Sequence, residues 1–270
     1  MTAPFVPRVG GVLSADIAVP EHERAVRFYS RVLSTGENPL WGENLMNNLG
    51  LPVIGLGART PEYEHLPLQW MPHIQVADVA ASVRRALEKG GSMPMRAEGE
   101  DGESQWAVLI DPNGAAFGVI PVVPAAAIPD EATSHDGAEP VGRILWLDLT
   151  VPDAASTREF YREVIGWSVE EVDMKDGSER YADHNMLGKD GTPLAGVCHA
   201  RGPNVGLPPV WVIYVCCGSG PCGGVLRVDA GVTAAGRRDM GRRDPISLRP
   251  MAPCGIATRN ATVCANGPVA

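Results

Sequence analysis

The chain has 270 residues, 44% of them hydrophobic, and a formal charge of -9. That is enough apolar material for one large domain or two ordinary ones, and the acidity argues against nucleic acid or an anionic membrane as partner. No run of about 18 apolar residues is present and MTAPFVPRVGG is not a basic-then-apolar leader, so the expectation is a cytoplasmic protein without a membrane span.

The first predicted element is a strand, GVLSADIAV, in which apolar and small residues alternate. Pro20-Glu21 then makes a turn and an acidic helix start, where the helix dipole favours a carboxylate. Ala25, Phe28, Tyr29, Val32 and Leu33 follow at helical spacing and predict one buried face. Short strand-like pieces, ENLMNNLG and LPVIGLGA, come next. A second pass begins with the strand around His73-Ile-Gln-Val76 and the helix stripe Val79, Val83, Ala86 and Leu87, which Gly90-Gly91 ends. SQWAVLI, the turn Asp111-Pro-Asn-Gly114 and AAFGVIPV then read as a hairpin. Residues 123–142, rich in Pro, Ala and acids, read as a linker.

The chain then repeats itself. Residues 16–33 (DIAVPEHERAVRFYSRVL) align with 148–165 (DLTVPDAASTREFYREVI), so that Asp16, Val19, Pro20, Phe28, Tyr29 and Val32 recur as Asp148, Val151, Pro152, Phe160, Tyr161 and Val164. Strand-like RYADHNMLG and TPLAGVCHA follow, and then WVIYV at 211–215. The units are 8–122, the linker 123–142, an incomplete second unit 143–215, and an atypical tail 216–270.

The tail breaks the pattern. After Tyr214 there is no aromatic residue, Lys or Glu, and 216–270 holds seven Arg, three Asp, nine Gly and five Pro. We read it as frameshifted or disordered, with a divergent tail as the alternative. Shifting Cys216–Cys222 by one nucleotide permits Val-Ala-Asp-Leu-Ala-Arg-Ala, close to Val76-Ala-Asp-Val-Ala-Ala-Ser82. Cys216, Cys217 and Cys222 are badly spaced for structural zinc and no His follows them. If the printed tail is real, the incomplete second unit leaves a sheet face and edge open, and poor solubility or a homodimer through that edge is expected.

The VPD/E-plus-FY helix, VADVAAS…GG, DPNGAAFGVI and the later FYREVIGW and DGTPLAGV resemble the vicinal oxygen chelate superfamily, the group of glyoxalases, bleomycin-resistance proteins and extradiol dioxygenases. The resemblance covers roughly 8–215 and implies an α+β fold of tandem βαβββ modules, each pair curving around a cleft, with the fourth module disrupted. It also implies a divalent metal held by His and Glu at fixed places: seven residues before each helix cap, and seven after the Asp of the DPxG turn. Those places are Ser14, Met71 and Trp146, and Gly118, none able to hold the expected ion.

No cofactor is therefore expected, unless displaced ligands hold a divalent metal. Asp16, His73 and Gln75 share the inward parity of Ser14 and Met71. Asp16 and His73 could bind a metal or form an acid–base pair, and His73 could equally be a hydrogen-bonded wall residue. Asp148 repeats Asp16, in a ligand or a structural role, and Trp146 is a candidate cleft wall. Trp70, Trp106 and Trp211 fit either a cleft or the core. His199 and Arg201 suit a carboxylate or phosphate group, with Asp183-His184-Asn185 a weaker candidate, and His22, His65 and His135 are expected in solvent. Two functions follow: metal-independent binding of a small organic molecule, or a glyoxalase-type lyase, isomerase or dioxygenase using displaced ligands.

Overall fold

The computed structural model describes residues 7–33, 40–41, 44–45, 53–127, 144–217 and 224–228. It is an α+β protein of two six-stranded sheets, with the short pair β2 (Leu40–Trp41) and β3 (Asn44–Leu45) beside them. The first sheet contains β1 (Val12–Val19), β4 (Ile54–Ala58), β5 (Met71–Val76), β6 (Ser92–Glu98), β7 (Ser104–Ile110) and β8 (Ala116–Pro121), in the order β4-β1-β5-β8-β7-β6. The second contains β9 (Ile144–Val151), β10 (Ser168–Asp176), β11 (Glu179–Leu187), β12 (Pro193–His199), β13 (Trp211–Cys217) and β14 (Gly224–Val228), in the order β10-β11-β12-β9-β13-β14.

Each of the first three modules closes in one way. Its first strand leads into a helix and pairs parallel with its last strand: β1 with β4, β5 with β8, β9 with β12. First strands of adjacent modules pair antiparallel, β1 with β5 and β9 with β13. The helices are α1 (His22–Leu33), α2 (Val79–Glu88) and α3 (Ala154–Ile165). Asp78 caps α2 by accepting from the Ala81 N–H at 2.8 Å, and Asp153 caps α3 by accepting from the Ser156 N–H at 2.9 Å. This meets donors that a helix start otherwise leaves open. Gly166, left-handed at φ 89°, ends α3.

The fourth module departs from this plan. Its first strand, β13, pairs antiparallel with the next described strand, β14. The tail thus contributes a strand, which the sequence pattern did not foretell, and the second sheet runs past residue 215. The edge of β13 that was expected to stay open is covered by β14. The rest of the tail, and most of the linker at 123–142, lie outside the described residues; Ala125–Ala127 form a short 3-10 turn.

Helix-side residues of both sheets merge into one core. Ile17, Tyr29, Trp70 and Phe117 from the first half join Leu149, Tyr161, Trp167 and Trp211 from the second. Polar bonds tie the layers across this junction: Ser82 Oγ donates to Val164 O at 2.8 Å, Trp167 Nε1 to Gly10 O at 2.9 Å, and Lys89 Nζ to Glu163 Oε1 at 2.8 Å. Trp70 and Trp211 belong to this core and not to a cleft.

The repeat is unequal at one place. Phe160 is 4% exposed and meets Phe117 edge-on at 6.2 Å, whereas its counterpart Phe28 is 41% exposed. The even buried face expected of α1 is thus corrected. Phe117 sits on the hairpin after the second module's DPNG turn, and no matching hairpin faces Phe28 among the described residues.

Candidate functional site

Strand alternation sends one side of each sheet to the helices and turns the other away from them. On the side of the first sheet turned away from the helices, register aligns the candidate residues in rows. Ser14 lies opposite His73, His73 opposite Gly118, and Gly118 opposite Val108. One step along, Gly55 lies opposite Asp16, and Asp16 opposite Met71.

The imidazole of His73 is held from two sides. Its Nδ1 is 2.9 Å from Ser14 Oγ and its Nε2 is 3.4 Å from Asp16 Oδ2. Nδ1 shares a hydrogen bond with the Ser14 hydroxyl, and the Asp16 carboxylate lies on the Nε2 side of the ring. The ring edge lies over Gly118: a Cβ there would come within 2.4 Å of His73 Cδ2. Asp16 lies over Gly55 in the same way, with Oδ1 only 2.2 Å from where a Cβ would stand. Both glycines are side-chain-free because a neighbour's side chain takes the space. The side chains of His73 and Asp16 remain 21% and 46% exposed, so the pair faces solvent.

Beyond this polar corner the face is apolar. Met71, Val108, Ala116 and Leu66 are buried together, with Tyr63, Met95, Trp106 and Ile110 packed against them. Leu66 and Tyr63 come from the loop joining β4 to β5. Arg59 pins that loop by donating to Glu64 O and Leu66 O, each at 2.8 Å. Gln75 has inward parity but is closed off: its Nε2 donates to Gly11 O at 3.4 Å and its Oε1 accepts from the Val123 N–H at 2.9 Å. Two shallow hollows, one beside Val83 and Trp106 and one beside Asn113 and Thr157, run along the helices instead of this face.

The second sheet repeats the layout with different contents. Asp148 lies opposite Gly196, as Asp16 does opposite Gly55. Trp146 closes over it, and its Nε1 donates to Asp148 Oδ1 at 2.7 Å. His199 is tied to buried Asp183, whose Oδ1 is 3.0 Å from Nδ1 and accepts from the His199 N–H at 2.7 Å. Arg201 forms an ion pair with Glu179 and stacks 4.9 Å from the Tyr181 ring centroid. The carboxylate or phosphate foreseen for these two residues therefore meets charges that already have partners. His184, buried beside α3, accepts from Arg158 Nη1 at 3.1 Å; its pKa is lowered by burial first, then by the Arg158 and His199 charges. His22, expected in solvent, instead bonds Leu56 O through Nε2 at 2.7 Å, while His65 is exposed and His135 lies outside the described residues.

The donor set does not suit a metal. Ser14, Met71, Gly118 and Trp146 offer no imidazole or carboxylate, and both nitrogens of His73 are engaged. Among the described residues no group of three or more His, Cys, Asp or Glu is placed to hold an ion. Sequence reasoning missed Ser14 as the partner of His73, and the packing of Val108, Met95 and Tyr63. Strand parity contained the first signal; the second needed the sheet register.

Paired modules, each with its first strand parallel to its last and its helix on one side of the sheet, are the vicinal oxygen chelate fold. The family comparison agrees over the first unit: residues 14–120 match the model described as a glyoxalase-like domain. Proteins named "Putative glyoxylase CFP32", from Mycobacterium bovis and Mycobacterium tuberculosis, are each 25% identical over 209 residues, 74% of this chain and 74% of theirs. Two variants of homoprotocatechuate 2,3-dioxygenase from B. fuscum share the fold, at 15% identity and TM-score 0.50, over 80% of this chain and 70% of theirs. No described helix is long and apolar enough to cross a membrane.

Proposed function

We propose that the chain binds a small organic molecule on the ligand face of its first sheet, without a metal. The observation that carries this reading is the His73 ring lying in the space a side chain at 118 would need, its nitrogens engaged by Ser14 and Asp16. A glutamate at 118 and an unengaged imidazole cannot coexist there. The second sheet supports the same reading, because Trp146 stands where a metal-binding His is implied and spends its N–H on Asp148. The apolar group around Met71 and Val108 supplies burial, and the polar corner supplies orientation, as small-molecule sites do.

The test is ligand titration followed by tryptophan fluorescence, on chelator-treated protein and on protein supplied with Zn, Fe, Mn, Ni or Mg ions, with metal content measured alongside. The expected result is equal affinity in both and no turnover. A stoichiometric divalent ion together with turnover would sink the reading and favour a lyase, isomerase or dioxygenase with displaced ligands.

A further inference from the structure

We propose that the second sheet carries an acid-sensitive latch: protonation of His184 releases Arg158 and frees the edge hairpin β10–β11 from α3. The basis is the direction of one hydrogen bond. A guanidinium can only donate, so the lone pair of His184 Nδ1 accepts from Arg158 Nη1 at 3.1 Å and the ring is held neutral. The same Nη1 donates to Glu171 Oε1 on β10 at 2.9 Å. Glu171 stands directly opposite His184 in the register, so one side chain of α3 holds both strands of the hairpin. The two arms are unequal: the Glu171 pair is largely exposed and worth little, whereas the His184 ring is buried.

A proton on Nδ1 would replace the buried arm with two cations face to face. The groups packed around the ring do not offset that. From α3 it meets Arg158, from β10 Glu171, from β12 His199 with ring centroids 6.1 Å apart, and on its own strand Asp183. Both carboxylates are already engaged, Glu171 by Arg158 and Asp183 by His199. Nε2 is buried without a hydrogen-bond partner among the described residues, so the ring has no second anchor. An exposed imidazole titrates near 6.5 and this one lower. The latch is therefore fully closed above 6.5 and weakens as pH falls from there through the folded value. What gives way is the least anchored part of the sheet. β10 is an edge strand, paired with β11 on one side and mostly exposed, whereas β9 and β13 at the centre keep Leu149 and Ile213 in the core.

The experiment is hydrogen exchange read by mass spectrometry on the full chain at about pH 7.5 and about pH 5.5, corrected for the intrinsic rate. No ligand is added, so the outcome does not depend on the binding reading. Protection over β10 and β11 should fall about tenfold, the gain in open population one pH unit below 6.5. Protection in β9 and β13 should hold. In His184→Gln, whose side-chain oxygen can still accept from Arg158 but takes up no proton, the fall should disappear. If that variant does not fold, imidazole nitrogen shifts of the natural chain decide, and Nδ1 should be the unprotonated nitrogen at neutral pH. Hairpin protection indifferent to pH, a fall that persists in His184→Gln, a fall shared equally by β9 and β13, or a protonated Nδ1 at neutral pH would each overturn the proposal.

Discussion

The Tyr161 hydroxyl on α3 donates to Asp111 Oδ2 in the first sheet's DPNG turn at 3.2 Å, and accepts from Trp211 Nε1 on β13 at 3.2 Å. One buried hydroxyl thus joins the two halves of the repeat. Tyr161→Phe leaves a buried carboxyl and a buried indole N–H each short of a partner. The expected loss is about 1–3 kcal/mol per group left unsatisfied, read from urea unfolding. An unchanged midpoint would mean the chain of bonds contributes nothing.

Asp111 gives this junction a pH dependence. Burial, outweighing the Ala115 and Asn113 backbone donors and the Tyr161 hydroxyl, raises its pKa above 3.8. The folded state therefore holds this proton more tightly than the unfolded one. Its contribution to stability is full below the unfolded value and is lost as pH rises through the folded value. Melting the natural chain beside Asp111→Asn from about pH 3 to about pH 7 should show the variant's deficit shrinking as pH rises. A deficit that grows with pH would contradict the assignment.

His184 acts in the opposite sense. Its pKa is lowered from 6.5, so the unfolded chain takes up the proton first. Its contribution is present above 6.5 and is lost as pH falls from there through the folded value. His184→Gln should flatten the stability curve on that acid limb, and an unaltered slope would assign the acid sensitivity elsewhere.

Gly118→Ala tests the space that His73 fills. The added methyl overlaps His73 Cδ2, so the ring must leave Ser14 or the strand must shift. Overpacking of this kind costs about 1–3 kcal/mol. The His73 imidazole resonances should also move, which distinguishes ring displacement from a general loss of stability.

The unequal phenylalanines make a paired test. Phe160→Ala should cost about 3–5 kcal/mol, as deleting a buried ring does. Phe28→Ala should cost less than about 1 kcal/mol, because that ring already meets solvent. Equal losses would mean that α1 is covered as fully as α3.

Much of this architecture is legible in the residues. The Pro-Asp caps, the Phe-Tyr helices and the strand alternation are local signals, and Asp78 and Asp153 cap where the pattern puts them. Strands β6 and β10 gave no such signal, because SMPMRAE and SVEEVDMKD are largely polar and only half-covered. β14 was hidden by the compositional break before it. At the candidate site, parity assigned Ser14, Asp16 and His73 to one face, but not that Ser14 would hold the ring. Collisions between a ring and a glycine on the next strand depend on register, which alternation alone does not fix. Phe28 was misjudged because its burial depends on a hairpin from another module, far away along the chain.

The faces of the two sheets turned away from the helices lie on the outer sides of a single shared core, with the helices and the Tyr161 junction between them. Structure and chemistry are therefore carried by separate sets of side chains on the same strands: Ile17 and Phe117 look one way, Asp16 and Gly118 the other. A gene with this division can rewrite either outer face residue by residue while the inner layer keeps the chain folded. The first sheet has come to carry an open carboxylate where the second carries one roofed by an indole. Duplication here supplied two independently variable outer faces on one scaffold.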